Sequence, residues 1–128
     1  MKTGIVVFAH GSSIASANEA VRSLTAVVAQ AGQFELVETA FLELASPDLE
    51  EAVTRLRERG AERIIVVPYF LTLGIHLQRD LPRLVEGLRE QHPGVEIAVA
   101  DPLDGHPALA QIVVERAQKA LANAGAAG

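Results

Sequence analysis

The chain has 128 residues, a net charge of −5, no cysteine and no tryptophan. Lacking cysteine, it has no disulfide framework, no thiolate metal site and no cysteine nucleophile. Lacking a basic excess, it has no electrostatic footprint for nucleic acid. No apolar run approaches the roughly 20 residues of a membrane helix, and the start turns polar at His10, too soon for a secretory leader. The expectation is a single cytoplasmic domain over residues 1–122, with no membrane or nucleic-acid partner.

Gly4 to Ala9 is an unbroken apolar run rich in Val and Ile, which reads as a strand buried on both faces. From Ser16 to Ala31, Val21, Leu24, Val27 and Val28 recur at helical spacing, and Gly32 is the predicted stop. Phe34 to Phe41 is a second strand whose imperfect alternation predicts partial exposure. Ser46-Pro47-Asp48 predicts a helix start, with Ser46 as cap, Pro47 at the first helical position and Asp48 in the first turn. That helix closes on Arg57-Glu58-Arg59-Gly60.

Arg63 to Tyr69, with Ile64-Ile65-Val66-Val67, is the most apolar strand and is predicted to be central. A loop from Phe70 to Ile75 follows, then a helix from Leu77 to Gln91. Pro82 is tolerated only in a first turn, which moves the start of that helix to Asp80 or Leu81. Pro93-Gly94 is a turn and Val95 to Ala100 a fourth strand. Pro107 to Ala122 is the last helix, and Asn123 to Gly128 is expected to fray. Strands spaced this way with helices between them need right-handed parallel crossovers. The fold class is therefore α/β: a three-layer sandwich with a four-stranded parallel sheet of order 2-1-3-4, flavodoxin-like, and helices on both faces.

In such a sheet the residues beyond the carboxyl ends of the strands line the ligand crevice. His10-Gly11-Ser12-Ser13 follows strand one and Glu43 follows strand two. Gly74, His76, Gln78, Arg79 and Asp80 follow strand three; Asp101, Asp104 and His106 follow strand four. Imidazole is both a metal ligand and a group that titrates near neutrality, so His10 and His76 on one edge point to metal or proton chemistry. Either alone equally fits a histidine bonded to a nearby carbonyl. Two imidazoles are an incomplete ligand set, which suits a metal held briefly and passed on. Gly11-Ser12-Ser13 permits a tight turn whose amides could hold an anion. Gly74 would let the backbone approach a ligand closely.

Glu43 sits in the apolar stretch Phe41-Leu42-Glu43-Leu44-Ala45. Burial there would favour its protonated form and make it a candidate proton acceptor; an exposed loop carboxylate is the plain alternative. His92 falls at the opposite end of the sheet, where a surface residue is expected, and His106 reads as a residue preceding the last helix.

Several segments together resemble the short, single-domain sirohydrochlorin chelatases, the anaerobic cobaltochelatase and sirohaem ferrochelatase group. They are His10-Gly11-Ser12, Asn18, Phe41 to Pro47, Val67-Pro68-Tyr69-Phe70-Leu71, Gly74-Ile75-His76, Asp80-Leu81-Pro82 and Pro102-Leu103-Asp104-Gly105-His106-Pro107. The resemblance spans about residues 4 to 117. It implies insertion of a divalent metal (Co2+, Fe2+ or Ni2+, as substrate) into the tetrapyrrole sirohydrochlorin, with no organic cofactor. It implies His10 and His76 as metal ligands, and Glu43 as the acid that assists metal delivery or pyrrole deprotonation. It also implies a homodimer with sites facing a shared cleft. Gly11, Ser12, Ser13, Phe70, Gly74 and Arg79 complete the set, as substrate-binding candidates. One departure stands out: family members often carry an arginine where this chain has Ser13. Arg79 or the amides after Ser12 are the expected substitutes for its bidentate grip on a carboxylate.

Three rivals remain open. A metal carrier would share the histidines without tetrapyrrole chemistry. A histidine phosphatase would share the His-Gly after strand one, but it needs an arginine cluster for phosphate, and position 9 is Ala. A dimeric scaffold would use the edge for association alone.

Overall fold

A computed structural model of the chain describes residues 1–127. β1 (Thr3–Ala9), β2 (Leu36–Phe41), β3 (Arg63–Pro68) and β4 (Glu96–Val99) form one sheet in the order β2-β1-β3-β4. Every pairing is parallel, with Val6 opposite both Glu38 and Val66, and Ile65 opposite Ala98. The Val- and Ile-rich runs take the two interior places, β1 and β3, where both faces need apolar cover.

Alternation sends Val6, Phe8, Ala40, Ile64, Val66 and Ile97 to one face, where they form a single buried cluster with two helices. α2 (Leu49–Glu58) contributes Leu49, Ala52, Val53 and Leu56, and α3 (Ile75–Gln91) contributes Leu81, Val85 and Leu88. α1 (Ala15–Gly32) covers the other face over β2, where the buried hydroxyls of Thr25 and Thr39 are bonded at 2.7 Å. α4 (Pro107–Ala127) is different: its apolar side chains stay in solvent, Val113 at 67% and Leu121 at 72% exposed.

Local chemistry moved several boundaries. Gly32 is the last helical residue of α1, and Gln33 takes the left-handed position (φ 56°). Phe34 N–H closes back on Ala29 O at 2.9 Å and Gln33 N–H on Gln30 O at 3.3 Å, the six-to-one and five-to-two bonds of a helix stop. Phe34 thus belongs to the helix end, and β2 begins only at Leu36. The cap of α2 is Asp48, whose carboxylate accepts from Glu51 N–H at 2.9 Å, so Ser46 and Pro47 lie before the helix.

α3 begins at Ile75, and Pro82 lies inside it. Pro82 cannot donate to the Gln78 carbonyl, so the helix forgoes one backbone bond there, beside the exposed residue Gln78. The early start turns the expected loop around His76 into a first helical turn. His92 is buried rather than on the surface, because its Nδ1 accepts from Arg57 Nη1 at 3.1 Å as α3 ends. α4 extends past Asn123 to Ala127, and Gly128 lies outside the described residues.

Candidate active site

β1 and β2 continue pairing past their last strand residues. Leu42 N–H donates to Ala9 O at 2.9 Å, and Glu43 N–H to His10 O at 3.1 Å. This sets Glu43 beside His10. The crossing is possible only because residue 11 is glycine: its φ is +92°, and a Cβ there would stand 1.8 Å from the Glu43 carbonyl oxygen.

His10 Nδ1 lies 3.1 Å from the Gly11 carbonyl oxygen. A carbonyl only accepts, so this nitrogen carries a hydrogen, and in the neutral ring Nε2 then presents its lone pair outward. Glu43 Oε1 is 3.6 Å from that Nε2. Two electron-pair donors facing each other at this distance attract a cation or a proton between them. The ring of His10 stands edge-on to Phe70 (6.4 Å, 77°), which stands edge-on to the buried Phe8 (5.9 Å, 70°). The aromatic chain runs from core to site and fixes the imidazole plane.

His76 is the second residue of α3. Its Nδ1 is 3.4 Å from Arg79 Nη2, and Arg79 Nε donates to Asp80 Oδ1 at 3.1 Å. A guanidinium only donates, so here the lone pair of Nδ1 faces Arg79. Gly74 caps the helix with ordinary extended backbone (φ −67°), and a side chain there would meet no atom within 4 Å. Its smallness leaves the mouth open without being required by the fold.

His10 and His76 line one cleft of about 330 Å³, together with Leu42, Phe70, Gly74 and Ile75. The tertiary structure thus gathers the two imidazoles, and the carboxylate of Glu43 beside one of them. Among the described residues no three or more histidine, aspartate or glutamate side chains converge to hold a metal. The exposed apolar side chains of Ile75 (82%) and Leu42 line the cleft, and Leu44 and Leu71 are exposed on the segments that follow β2 and β3. A rim of that kind fits a flat apolar ligand or a second protein surface.

Glu43 is not buried among its apolar neighbours. Its side chain is 56% exposed, so desolvation gives no reason to assign it a proton-accepting role, and adjacency to His10 becomes the reason instead. Ser12 and Ser13 line a neighbouring cleft of about 620 Å³ with Asn18, Arg22 and Ser46, not the histidine cleft. Two of the loop amides are already committed within the chain. Ser12 N–H donates to Asn18 Oδ1 at 2.9 Å, and Ile14 N–H to Ser12 Oγ at 3.0 Å. Asn18 is buried and also donates to Ser12 O at 2.8 Å, so it pins the turn from both sides.

Arg22 escaped the sequence reading. It lies over the Phe41 ring at 5.2 Å and donates to Ser46 O at 3.1 Å, joining α1 to the segment after β2. Nothing in the spacing of α1 marks it. His106 serves the chain locally: its Nδ1 accepts from Ala108 N–H at 3.0 Å at the start of α4. A roomier apolar groove of about 500 Å³ runs between α3 and the end of β4, past Leu81, Val85 and Val99, and none of the candidate residues lines it.

The chain is similar to proteins already known. The family model CbiX matches residues 4–120. The sirohydrochlorin cobaltochelatase of Methanopyrus kandleri is 34% identical, over 91% of this chain and 96% of its own. A solved CbiX protein of cobalamin (vitamin B12) biosynthesis, from Marinobacter aquaeolei VT8, superposes with a TM-score of 0.82 at 34% identity, covering 94% of this chain and 98% of that one. The sirohydrochlorin chelatase SirB of Bacillus subtilis subspecies spizizenii, in complex with cobalt, superposes with a TM-score of 0.75 at 26% identity. That match covers 80% of this chain but only 44% of SirB.

Proposed function

The chain belongs to the CbiX family, and on that premise we propose that it inserts divalent cobalt or iron into sirohydrochlorin, a lyase reaction of cobalamin or sirohaem biosynthesis. The reaction balances as one M²⁺ entering the macrocycle and two pyrrole protons leaving it. The observation that carries the reading is the cleft that holds His10 and His76 together, with Glu43 Oε1 3.6 Å from His10 Nε2.

His10 receives the metal ion on Nε2, the nitrogen left free by the bond from Nδ1 to Gly11 O. His76 supplies the second imidazole. Fewer than four protein ligands leave coordination positions open, so pyrrole nitrogens can replace the imidazoles one at a time. Imidazole suits cobalt, iron and nickel alike, so the ligands do not choose among them. Glu43, within reach of His10 and open to water, takes the pyrrole protons and passes them to solvent. Phe70, Leu42 and Ile75 receive the apolar face of the macrocycle. Arg79 stands beside His76 with its guanidinium exposed, placed to meet a substrate carboxylate in the role that Ser13 cannot fill.

One copy provides one wall for a ligand this large. The chain spans less than half of SirB, and the reading therefore includes a second copy facing the first across the ligand. No described helix is long and apolar enough to cross a membrane.

The test is an anaerobic absorbance titration of sirohydrochlorin with Co2+. The protein should accelerate the spectral change of metal insertion. His10→Ala and His76→Ala should each lose most of that acceleration at limiting metal, with far-ultraviolet circular dichroism unchanged. Wild-type rates in both variants would reject the assignment. Metal binding without any insertion would favour a carrier.

A further inference from the structure

Two acceptors compete for the hydrogen of the His10 imidazole. Gly11 O lies 3.1 Å from Nδ1, and Glu43 Oε1 stands 3.6 Å from Nε2. A neutral imidazole carries one hydrogen, so it donates to one of them and not to the other. With the hydrogen on Nδ1, Nε2 offers its lone pair to a cation. With the hydrogen on Nε2, the ring turns to the Glu43 carboxylate, a charged and stronger acceptor than a carbonyl. No lone pair then faces Glu43. What this corner of the cleft binds therefore depends on how firmly Gly11 O is held against Nδ1.

Gly11 does not hold it alone. Its φ is +92° and it carries no Cβ, so rotation of the peptide between Gly11 and Ser12 meets little steric resistance. That rotation would carry the carbonyl away from His10. The peptide is planar, so its C=O on one side and the Ser12 N–H on the other turn together. The N–H end is anchored. Ser12 N–H donates to Asn18 Oδ1 at 2.9 Å, and Asn18 Nδ2 donates to Ser12 O at 2.8 Å. One side-chain amide grips both backbone polar atoms of Ser12. A peptide that donates at its N–H end is also polarised into a better acceptor at its carbonyl end.

Asn18 spends its amide on the loop and not on its own helix. α1 is capped by Ile14, without any side-chain cap bond, and Asn18 is one of two residues buried along it. Burying a side-chain amide is costly unless both of its ends are bonded, and here Ser12 bonds both. Asn18 does not line the histidine cleft, so it acts on that cleft only through the chain.

We infer that Asn18 is a positioning residue for His10: through the one peptide between Gly11 and Ser12 it keeps the imidazole hydrogen on Nδ1, and so keeps Nε2 open to a metal ion instead of closed onto Glu43. This deepens the functional reading and rests on His10 as a metal ligand in it.

The test reads the tautomer. Nitrogen NMR of the metal-free chain with isotope-labelled histidine, at alkaline pH where imidazole is neutral, distinguishes a hydrogen on Nδ1 from one on Nε2. The spectrum of His10→Gln identifies the His10 signals. The wild-type chain should hold the His10 hydrogen on Nδ1. Asn18→Leu, or Asn18→Ala should the larger side chain prevent folding, removes both bonds to Ser12. It should move the hydrogen to Nε2 and weaken Co2+ binding by about tenfold in calorimetry. Asn18→Asp keeps the acceptor for Ser12 N–H and loses only the donor to Ser12 O, so it should retain the wild-type tautomer. A merely structural Asn18 predicts the reverse ranking, because a buried carboxylate facing a carbonyl disturbs the loop more than an apolar side chain does. A wild-type hydrogen on Nε2, a Leu or Ala variant that keeps the wild-type tautomer, or a folded Asp variant that loses it would each overturn the inference. Insertion assays on the same variants keep the two readings apart. A Leu or Ala variant with a shifted tautomer and wild-type insertion leaves the positioning standing and defeats His10 as the ligand of the metal.

Discussion

His10 and His76 share a cleft but are held in opposite ways. His10 follows a strand buried on both faces, its Nδ1 is tied to the adjacent carbonyl, and its ring leans on Phe70 and through it on the core. His76 stands on the first turn of α3, its lone pair turned to Arg79 at 3.4 Å, between the exposed Ile75 and the half-buried Leu77. One imidazole is preorganised by backbone and packing; the other is placed by a helix end and adjusts by side-chain rotation alone. For an enzyme that must release a metal, the difference makes sense. Under the proposed function, a rigid ligand would fix where the ion sits and an adjustable one would lower the barrier to letting it go.

The sharpest way to break this contrast is at the support of His10. Gly11→Ala places a Cβ 1.8 Å from the Glu43 carbonyl oxygen at φ +92°. The two strand ends must separate, with an expected loss of about 2 to 4 kcal/mol of stability and nearly all insertion. Denaturant unfolding and the absorbance assay measure both. A loss below about 0.5 kcal/mol would show that the close crossing of Gly11 and Glu43 is not what holds His10 rigid.

A smaller effect is expected from Glu43→Gln, which keeps shape and hydrogen bonding but removes the base. Insertion should slow by about 100-fold while sirohydrochlorin binding changes little. Normal turnover over about pH 6 to 9 would return Glu43 to an ordinary exposed loop carboxylate.

The least change is expected on the adjustable side. Arg79→Ala should raise the KM for sirohydrochlorin by about fivefold through loss of a carboxylate contact, with kcat nearly unchanged. In the absence of tetrapyrrole it should bind Co2+ at least as tightly as the parent by calorimetry, because His76 Nδ1 is relieved of its donor. Weaker Co2+ binding would mean that Arg79 orients His76 rather than competing for it.

Much of this was legible in the chain. Apolar runs and helical spacing carry strand and helix number and the parallel pairing, because backbone hydrogen bonding allows only two periods and parallel crossovers allow one hand, and the order 2-1-3-4 was the flavodoxin-like choice that the structure bears out. His10 and His76 were legible as strand-end residues for the same reason. The boundaries were less so. Pro82 argued for a late start to α3, but the helix starts at Ile75 and runs through it, on an exposed face, and exposure is not written in local spacing. Asn18 stood in the resemblance without a role until its side chain was seen bonded twice to Ser12.

By itself the sequence determined the parallel α/β class and the edge on which chemistry gathers, since these follow from periodicity and from where polar residues interrupt it. Only the tertiary structure decided that Glu43 is open to solvent beside His10, that the Ser12 and Ile14 amides are already bonded, that His92 is buried and that α4 stands uncovered. These are matters of which surfaces meet across long separations in the chain. No local pattern encodes them, because the same side chain is favourable buried or exposed according to what the rest of the fold places against it.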